Sequence, residues 1–287
     1  MSQGTKWRVD GLRAGAAASG IDLQIPAQPS WSQEFITAFE TFGPVAAHGA
    51  ALAWLGHIDL LKYVIQNRWG SALIMEDDVD WSVDIRNQTS LIADAVLELT
   101  DQKGWLKRKK HGQPYGDNWD VLWLGHCSDP PDMLQPIVRF KDASVISWDK
   151  YRAIDRYMTT VLEEGERGVY KSFNPVCTFA YAVSAKGAKK LLAQASTGKG
   201  GAFDLMLNYA CRDGVLDCIS VSPEIFDSYH PAEGDLSEVR AGDDGAESNK
   251  GFFDTAFGQA MGHSDNIWKS ARCAGLWKST CLTEGLA

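Results

Sequence analysis

The chain has 287 residues, of which 45% are hydrophobic and 23% are charged, as is typical of a globular protein. Its formal net charge is −9 and its isoelectric point lies near 5.2, which argues against a nucleic-acid-binding protein. No secretory segment follows Met1, and the longest apolar helical stretch, residues 45–65, is interrupted by charged residues. We therefore expect no membrane span and a cytoplasmic protein.

The first predicted elements lead up to a short buried strand. Residues 1–20 are small and polar and predict no regular structure, whereas residues 21–25 have the composition of a short strand. Apolar spacing predicts a helix that starts near Ser32 and a longer helix over residues 45–67. Residues 72–75 then form an apolar run of the length and composition of a buried strand.

The remainder of the chain continues the alternation of helices and strands. Helices are predicted over residues 90–99, 185–192 and 203–211, and strands over residues 119–126, 178–183 and 218–221. Residues 148–168 show only weak, charged helical character, and residues 234–251 predict a flexible loop. We expect residues 252–287 to dock as a C-terminal tail. The alternation predicts an α/β protein with a mostly parallel sheet.

Four carboxylates follow the predicted strand 72–75 within five residues: Glu76, Asp77, Asp78 and Asp80. Like charges this close repel one another, and a bound cation is the usual compensation. Carboxylate oxygens at the carboxyl end of a strand suit Mg²⁺ or Mn²⁺, which also contact substrate phosphates. The acidic run therefore predicts a divalent metal site, and the alternative is a solvated acidic turn.

Six cysteines contain no C-x-x-C pair and no dense spacing. This distribution indicates neither a zinc site nor a disulfide framework, although the even count allows disulfides.

The ordered set of motifs resembles glycosyltransferase family 25, which includes bacterial lipooligosaccharide galactosyltransferases, collagen galactosyltransferases and fungal proteins. The spacing from His57 to Glu76-Asp77-Asp78 agrees with the family pattern. The other matching segments occur in the family's order, at residues 119–126, 180–188, 203–204, 223–226 and 264–267. The resemblance covers about residues 6–272 and is closest to the fungal members.

The resemblance implies a GT-A-like (Rossmann-like) fold, with a mixed, mostly parallel sheet flanked by helices in a single domain over residues 1–287. It implies a metal-dependent inverting transferase that moves a hexose, galactose in the first instance, from a UDP-sugar to a hydroxyl of a glycan or protein. The family departs from this chain at the N-terminus, where members have an apolar strand and an arginine-rich turn. Residues 6–10 resemble only the remnant of that turn, so the first strand is expected to be missing.

The implied site has three groups of residues. The metal ligands would be Glu76, Asp78 and His230, binding Mn²⁺ or Mg²⁺. The catalytic base would be Asp204, at a helix N-terminus where the dipole favours a carboxylate. Donor contacts are assigned to a larger set: Arg8, His57, Asp77 and Asp265.

Each assignment to a single side chain has a structural alternative. Asp204 and Asp265 would equally serve as helix-capping acids, and His230 as a structural loop histidine. For His57, the structural alternative is a buried hydrogen-bonding residue.

Two other function classes also stay open. One is a pseudoglycosyltransferase that binds a ligand or partner without catalysing transfer. The other is a metal-dependent hydrolase that activates water at the acidic cluster.

Overall fold

A computed structural model describes residues 6–45, 47–100, 114–154, 156–230, 262–279 and 281. The helices in these ranges are α1 (Lys6–Ser19), α2 (Gln33–Phe42), α3 (His48–Gln66), α4 (Ile85–Thr100), α5 (Met158–Val161), α6 (Ala185–Ala195), α7 (Phe203–Arg212) and α8 (Ala271–Trp277). The strands are β1 (Ser71–Met75), β2 (Val79–Trp81), β3 (Val121–Gly125), β4 (Ile137–Lys141), β5 (Glu166–Lys171), β6 (Ala180–Ser184), β7 (Cys218–Ser222), β8 (Phe226–His230) and β9 (His263–Ser264). The predicted loop 234–251 lies outside the described residues.

A six-stranded mixed sheet in the order β1-β6-β3-β7-β5-β4 forms the centre of the fold. Only β3 and β7 pair in parallel, whereas the other four neighbouring pairs are antiparallel. The prediction of a mostly parallel sheet is therefore wrong. Helix–strand alternation does not fix strand direction, and the sequence did not indicate β4 or β5, whose residues are only partly apolar.

Strand β3 shows how the two faces of the sheet are filled. All five of its residues are buried. Val121 and Trp123 pack with α3, α6 and α7, whereas Leu122 and Leu124 pack with α4 on the opposite face. This two-residue alternation is the geometry of a strand covered on both faces, and it confirms the expected α/β layering.

The N-terminal segment is helical, contrary to the prediction of irregular structure. Helix α1 packs against α8 and β2, and close approach is possible because small residues lie at the contact. A Cβ on Gly275 would lie 2.3 Å from the Ala14 carbonyl oxygen, and one on Gly15 would lie 3.3 Å from the Trp81 ring. Trp7 and Leu12 are buried as well, but the glycines and alanines between and after them hide the apolar stripe from a reading of the sequence.

Three disulfides pair the six cysteines: Cys127–Cys177, Cys211–Cys218 and Cys273–Cys281. The cysteine spacing did not indicate this framework, and the even count, which allowed disulfides, left the pairing open. Cys127 and Cys177 are 50 residues apart, and that contact depends on the sheet topology rather than on local spacing.

No helix among the described residues is both long and apolar enough to cross a membrane.

Candidate functional site

The acidic run forms the turn between β1 and β2, at the edge of the main sheet where β1 and β3 end and β6 begins. Strand β6 runs antiparallel to both β1 and β3, so the loop before β6 lies beside the end of β1. The backbone N–H of Glu76 donates to the Phe179 carbonyl at 2.9 Å. On the other side, the Tyr229 N–H donates to the Asp78 carbonyl at 2.7 Å, which ties the turn to β8.

Arg8 of α1 neutralises part of this acidic turn. Its Nη1 donates to Asp77 Oδ1 at 2.7 Å and to Asp78 Oδ2 at 3.1 Å. The Arg8 side chain is buried, with 5% of its surface accessible. Arg8, which the sequence assigned to binding of the sugar donor, is thus bonded to the carboxylates of the turn. Its guanidinium compensates part of the negative charge that the sequence assigned to a cation.

Asp80 is separated from this group and serves a structural role. It is fully buried and accepts hydrogen bonds from the Ser264 and Ser270 hydroxyls and from the Arg272 backbone N–H. Arg272, also fully buried, donates through Nε to the Val79 carbonyl at 2.7 Å. Asp80 and Arg272 therefore fasten the C-terminal segment onto β2.

Glu76 lies on the side of the turn that faces the main sheet. The Thr178 hydroxyl donates to Glu76 Oε1 at 3.0 Å, and His57 Nε2 lies 3.9 Å from the same oxygen. Although 35% of the Glu76 side-chain surface is accessible, burial of its carboxyl and the nearby charge of Asp78 raise its pKa to about 7.

His57 is a buried, hydrogen-bonded histidine. Its Nδ1 lies 3.1 Å from the Tyr181 hydroxyl, and its ring stacks on Phe203 with the centroids 4.2 Å apart. Burial lowers the pKa of His57 to about 3, so the ring is neutral at physiological pH. These contacts match the structural alternative, whereas donor binding by His57 stays a prediction.

Asp204, the predicted base, lies in the first turn of α7 with both oxygens engaged. Oδ2 accepts from the Cys177 backbone N–H at 3.0 Å, and Oδ1 accepts from the Leu205 N–H at 2.9 Å. Backbone amides therefore hold both oxygens of this carboxylate in place. Asp204 and Glu76 thus accept hydrogen bonds from two consecutive residues, Cys177 and Thr178.

His230 and Asp265 form a separate cluster with His263 on β8 and β9. His230 Nε2 lies 3.0 Å from the Ser228 hydroxyl and 3.9 Å from Asp265 Oδ2, and His263 Nε2 lies 3.6 Å from Asp265 Oδ1. These contacts do not join His230 to Glu76 or Asp78. The predicted three-residue metal set is thus not assembled by any ion pair or hydrogen bond among the described residues.

Glu224 and Asp227 form a buried carboxylate pair that the sequence did not indicate. The Asn266 side-chain amide donates to both Glu224 and Asp227. Burial and the charge of Glu224 raise the pKa of Asp227 well above its ordinary value. The Asn266 amide joins β8 to the segment after β9. At least this residue of the motif at 264–267 therefore has a structural role.

The chemistry of the turn fits a divalent cation in part. In the described part of the chain, no group of three or more His, Cys, Asp or Glu side chains is arranged as a metal site. Glu76 and Asp78 nevertheless repel each other, and both are accessible, at 35% and 25% of their side-chain surface. Glu76 Oε2 and Asp78 Oδ1 accept no hydrogen bond from any described residue. Two such carboxylates are the number that Mg²⁺ usually takes from a protein, with water and phosphate as the other ligands.

Sequence reasoning missed two side chains that contact the acidic turn, Thr178 and Arg272. Both approach it from distant parts of the chain, 102 residues after Glu76 and 195 residues after Asp77 respectively. Neither belongs to a local pattern, although Thr178 begins the predicted strand 178–183 and Arg272 ends the matched region.

No protein-family model matches this chain, and no curated protein shows significant similarity to it.

The raised pKa of Glu76 predicts how stability depends on pH. A carboxyl whose folded pKa exceeds its ordinary value of 4.5 contributes stability below that value and loses it as pH rises through about 7. In EDTA at pH 8, Glu76→Gln should therefore melt at a higher temperature than wild type, by about 2–4 °C for each kcal/mol of repulsion and desolvation that the substitution removes. At pH 4.5 the two proteins should melt at the same temperature. Thermal melts at both pH values, with the exposed Glu98→Gln as control, measure this. A lower melting temperature for Glu76→Gln at pH 8 would show that the carboxylate stabilises the fold.

Proposed function

We propose that this chain is a metal-dependent inverting glycosyltransferase that moves a hexose, galactose in the first instance, from a UDP-sugar to a hydroxyl of a glycan or protein. The observation that carries the proposal is the pair Glu76 and Asp78. Both lie at the carboxyl end of β1, both are accessible, and each has one oxygen without a hydrogen-bond donor among the described residues. Their motif is the one through which the chain resembles glycosyltransferase family 25.

Mn²⁺ or Mg²⁺ at this pair would supply positive charge for the diphosphate of the donor. The residues around the pair already fix its geometry. Arg8 bridges Asp77 and Asp78 and so holds the Asp78 carboxylate, while the neutral His57 packs behind Glu76 without adding charge. Asp204 remains the proposed base, and it would accept the proton of the acceptor hydroxyl at a lone pair that its two amide donors leave open.

The second candidate is a pseudoglycosyltransferase, which a specific feature favours. Strand β1 lies at the end of the sheet and pairs only with β6 among the described residues. Among the described residues, no second strand therefore adjoins the acidic turn on the free side of β1 to help hold the base of a donor. Arg8 also competes with a cation for Asp78. Such a protein would bind the cation without binding UDP.

We further propose that the protein works in an oxidising compartment rather than in the cytoplasm. All six cysteines are paired, and structural disulfides persist mainly in secreted and lumenal proteins. Thiol quantification of protein purified from its own cells under alkylation should find no free thiol. Six reactive thiols would favour the cytoplasm.

Titration calorimetry with UDP distinguishes the two functions. A transferase should bind UDP in Mn²⁺ with micromolar affinity and lose this binding in EDTA. A folded sample that binds Mn²⁺ but not UDP would favour the pseudoglycosyltransferase. A sample that binds neither ligand would exclude the donor site.

A further inference from the structure

The turn at Cys177 and Thr178, just before β6, contacts both predicted carboxylates of the reaction. The Cys177 backbone N–H donates to Asp204 Oδ2 at 3.0 Å, and the next residue, Thr178, donates its hydroxyl to Glu76 Oε1 at 3.0 Å. The Trp123 indole N–H donates to the Cys177 carbonyl at 2.8 Å. Two consecutive residues therefore set the positions of two side chains that lie more than 100 residues apart in sequence.

A disulfide holds this turn to the end of β3. Cys127 is bonded to Cys177, and its N–H donates to the Val176 carbonyl at 2.9 Å. Cys177 has a φ of 66°, in the left-handed region that a non-glycine residue adopts only when its surroundings enforce it. The remaining two disulfides are buried in packed clusters, whereas Cys127 and Cys177 are half-buried beside the acidic turn.

The Thr178 hydroxyl is well suited to orient Glu76. Thr178 is 5% exposed, so water has little access to replace its hydroxyl. A hydroxyl has one proton to donate, and here it is directed to Oε1, which leaves Oε2 without a hydrogen-bond donor among the described residues. Side chains that hydrogen-bond a metal-binding carboxylate in this way fix its orientation.

We propose that Thr178, held by the Cys127–Cys177 disulfide, is the positioning residue for Glu76 and thereby sets the affinity of the Glu76–Asp78 pair for a divalent cation. The inference rests on the proposed function, because it assumes that this pair binds the cation. It adds a role for a threonine and a disulfide outside the acidic motif.

The test measures Mn²⁺ affinity by the loss of the free Mn²⁺ signal in electron paramagnetic resonance. Thr178→Val keeps the shape of the side chain and removes the hydroxyl, so Mn²⁺ should bind about tenfold more weakly. Thr178→Ser keeps the hydroxyl and should bind as wild type does. Thr41→Val serves as the matched control, because Thr41 is exposed on α2 and its hydroxyl donates to the Thr37 carbonyl within the same helix.

Melting temperatures measured on the same samples separate positioning from folding. The inference is overturned if Thr178→Val binds Mn²⁺ as wild type does, or if the affinities of both Thr178 variants follow their melting temperatures rather than the presence of the hydroxyl. The double variant Cys127→Ser/Cys177→Ser should also bind Mn²⁺ more weakly while retaining its circular dichroism spectrum. If it binds as tightly as wild type, the disulfide has no part in positioning. Wild type that binds no Mn²⁺ would remove the proposed function, and this inference with it.

Discussion

Asp80→Asn should lower the free energy of unfolding by about 3–5 kcal/mol, the range measured when one partner of a buried charged network is removed. Asp80 is fully buried, and its Oδ2 accepts from the Ser264 hydroxyl at 2.8 Å and from Ser270. An asparagine offers one acceptor oxygen instead of two, and it removes the negative charge that interacts most strongly with the buried Arg272 guanidinium. The C-terminal segment would lose its main attachment to β2.

Urea unfolding in EDTA measures this effect, with Asp84→Asn as the control. Asp84 is exposed and pairs with Lys269 at 3.1 Å on the surface, so its replacement should change stability by at most about 0.5 kcal/mol. A loss below about 1 kcal/mol for Asp80→Asn would show that Asp80 does not hold the segment. Asp80 would then belong with Glu76, Asp77 and Asp78 to a single site.

Asp78→Asn should weaken Mn²⁺-dependent UDP binding by a hundredfold or more, roughly the upper end of the effects of residues that only support metal ligands. The fold should be unaffected, because asparagine retains an acceptor for Arg8 and Asp77 still pairs with the same guanidinium at 2.7 Å. Removing the charge also relieves the repulsion on Glu76. Stability should therefore equal or exceed that of wild type.

Calorimetric titrations of UDP into Asp78→Asn and Asp84→Asn, both in Mn²⁺, test this directly. Only the first variant should lose affinity, because Asp84 lies outside the turn and pairs with Lys269. Equal affinity in wild type and Asp78→Asn would mean that Asp78 acts only as a partner of Arg8. Donor binding, if present, would then take place without this carboxylate.

Local sequence patterns predict the elements around the site well. The helices over 33–42 and 48–66, the strand over 71–75 and the capped helix after Ser184 form where apolar spacing and capping place them. Ser184 accepts from the Gly187 N–H at 3.0 Å, as its position before a helix predicts. These features depend on residues within one or two turns of each other.

The missed features depend on contacts between distant segments. The direction of β6 is decided by its pairing with β1 and β3. Helix α1 packs closely against α8, a contact that its many glycines and alanines did not indicate in the sequence. The same limit applies to the site. The adjacency of Glu76 and Asp78 is local and predictable, whereas Arg8, Thr178 and Arg272 reach the turn only through the fold.

The four carboxylates of the acidic run consequently have three different environments. Asp77 is paired with Arg8, Asp80 is bonded to the C-terminal segment, and Glu76 and Asp78 retain oxygens without protein donors among the described residues. The crowding that suggested a cation in the sequence is therefore resolved by arginine and hydroxyl groups at two positions. At Glu76 and Asp78, each of which has one donor in the described part of the chain, the proposed cation would supply the rest of the compensation.

An anomalous diffraction experiment on crystals soaked in Mn²⁺ tests the location of the cation most directly. The expected result is one anomalous peak within coordination distance of Glu76 Oε2 and Asp78 Oδ1, which disappears in crystals of Asp78→Asn. A peak at His230, His263 and Asp265 instead, or no peak at a saturating Mn²⁺ concentration, would contradict the assignment of Glu76 and Asp78 as the divalent-cation site.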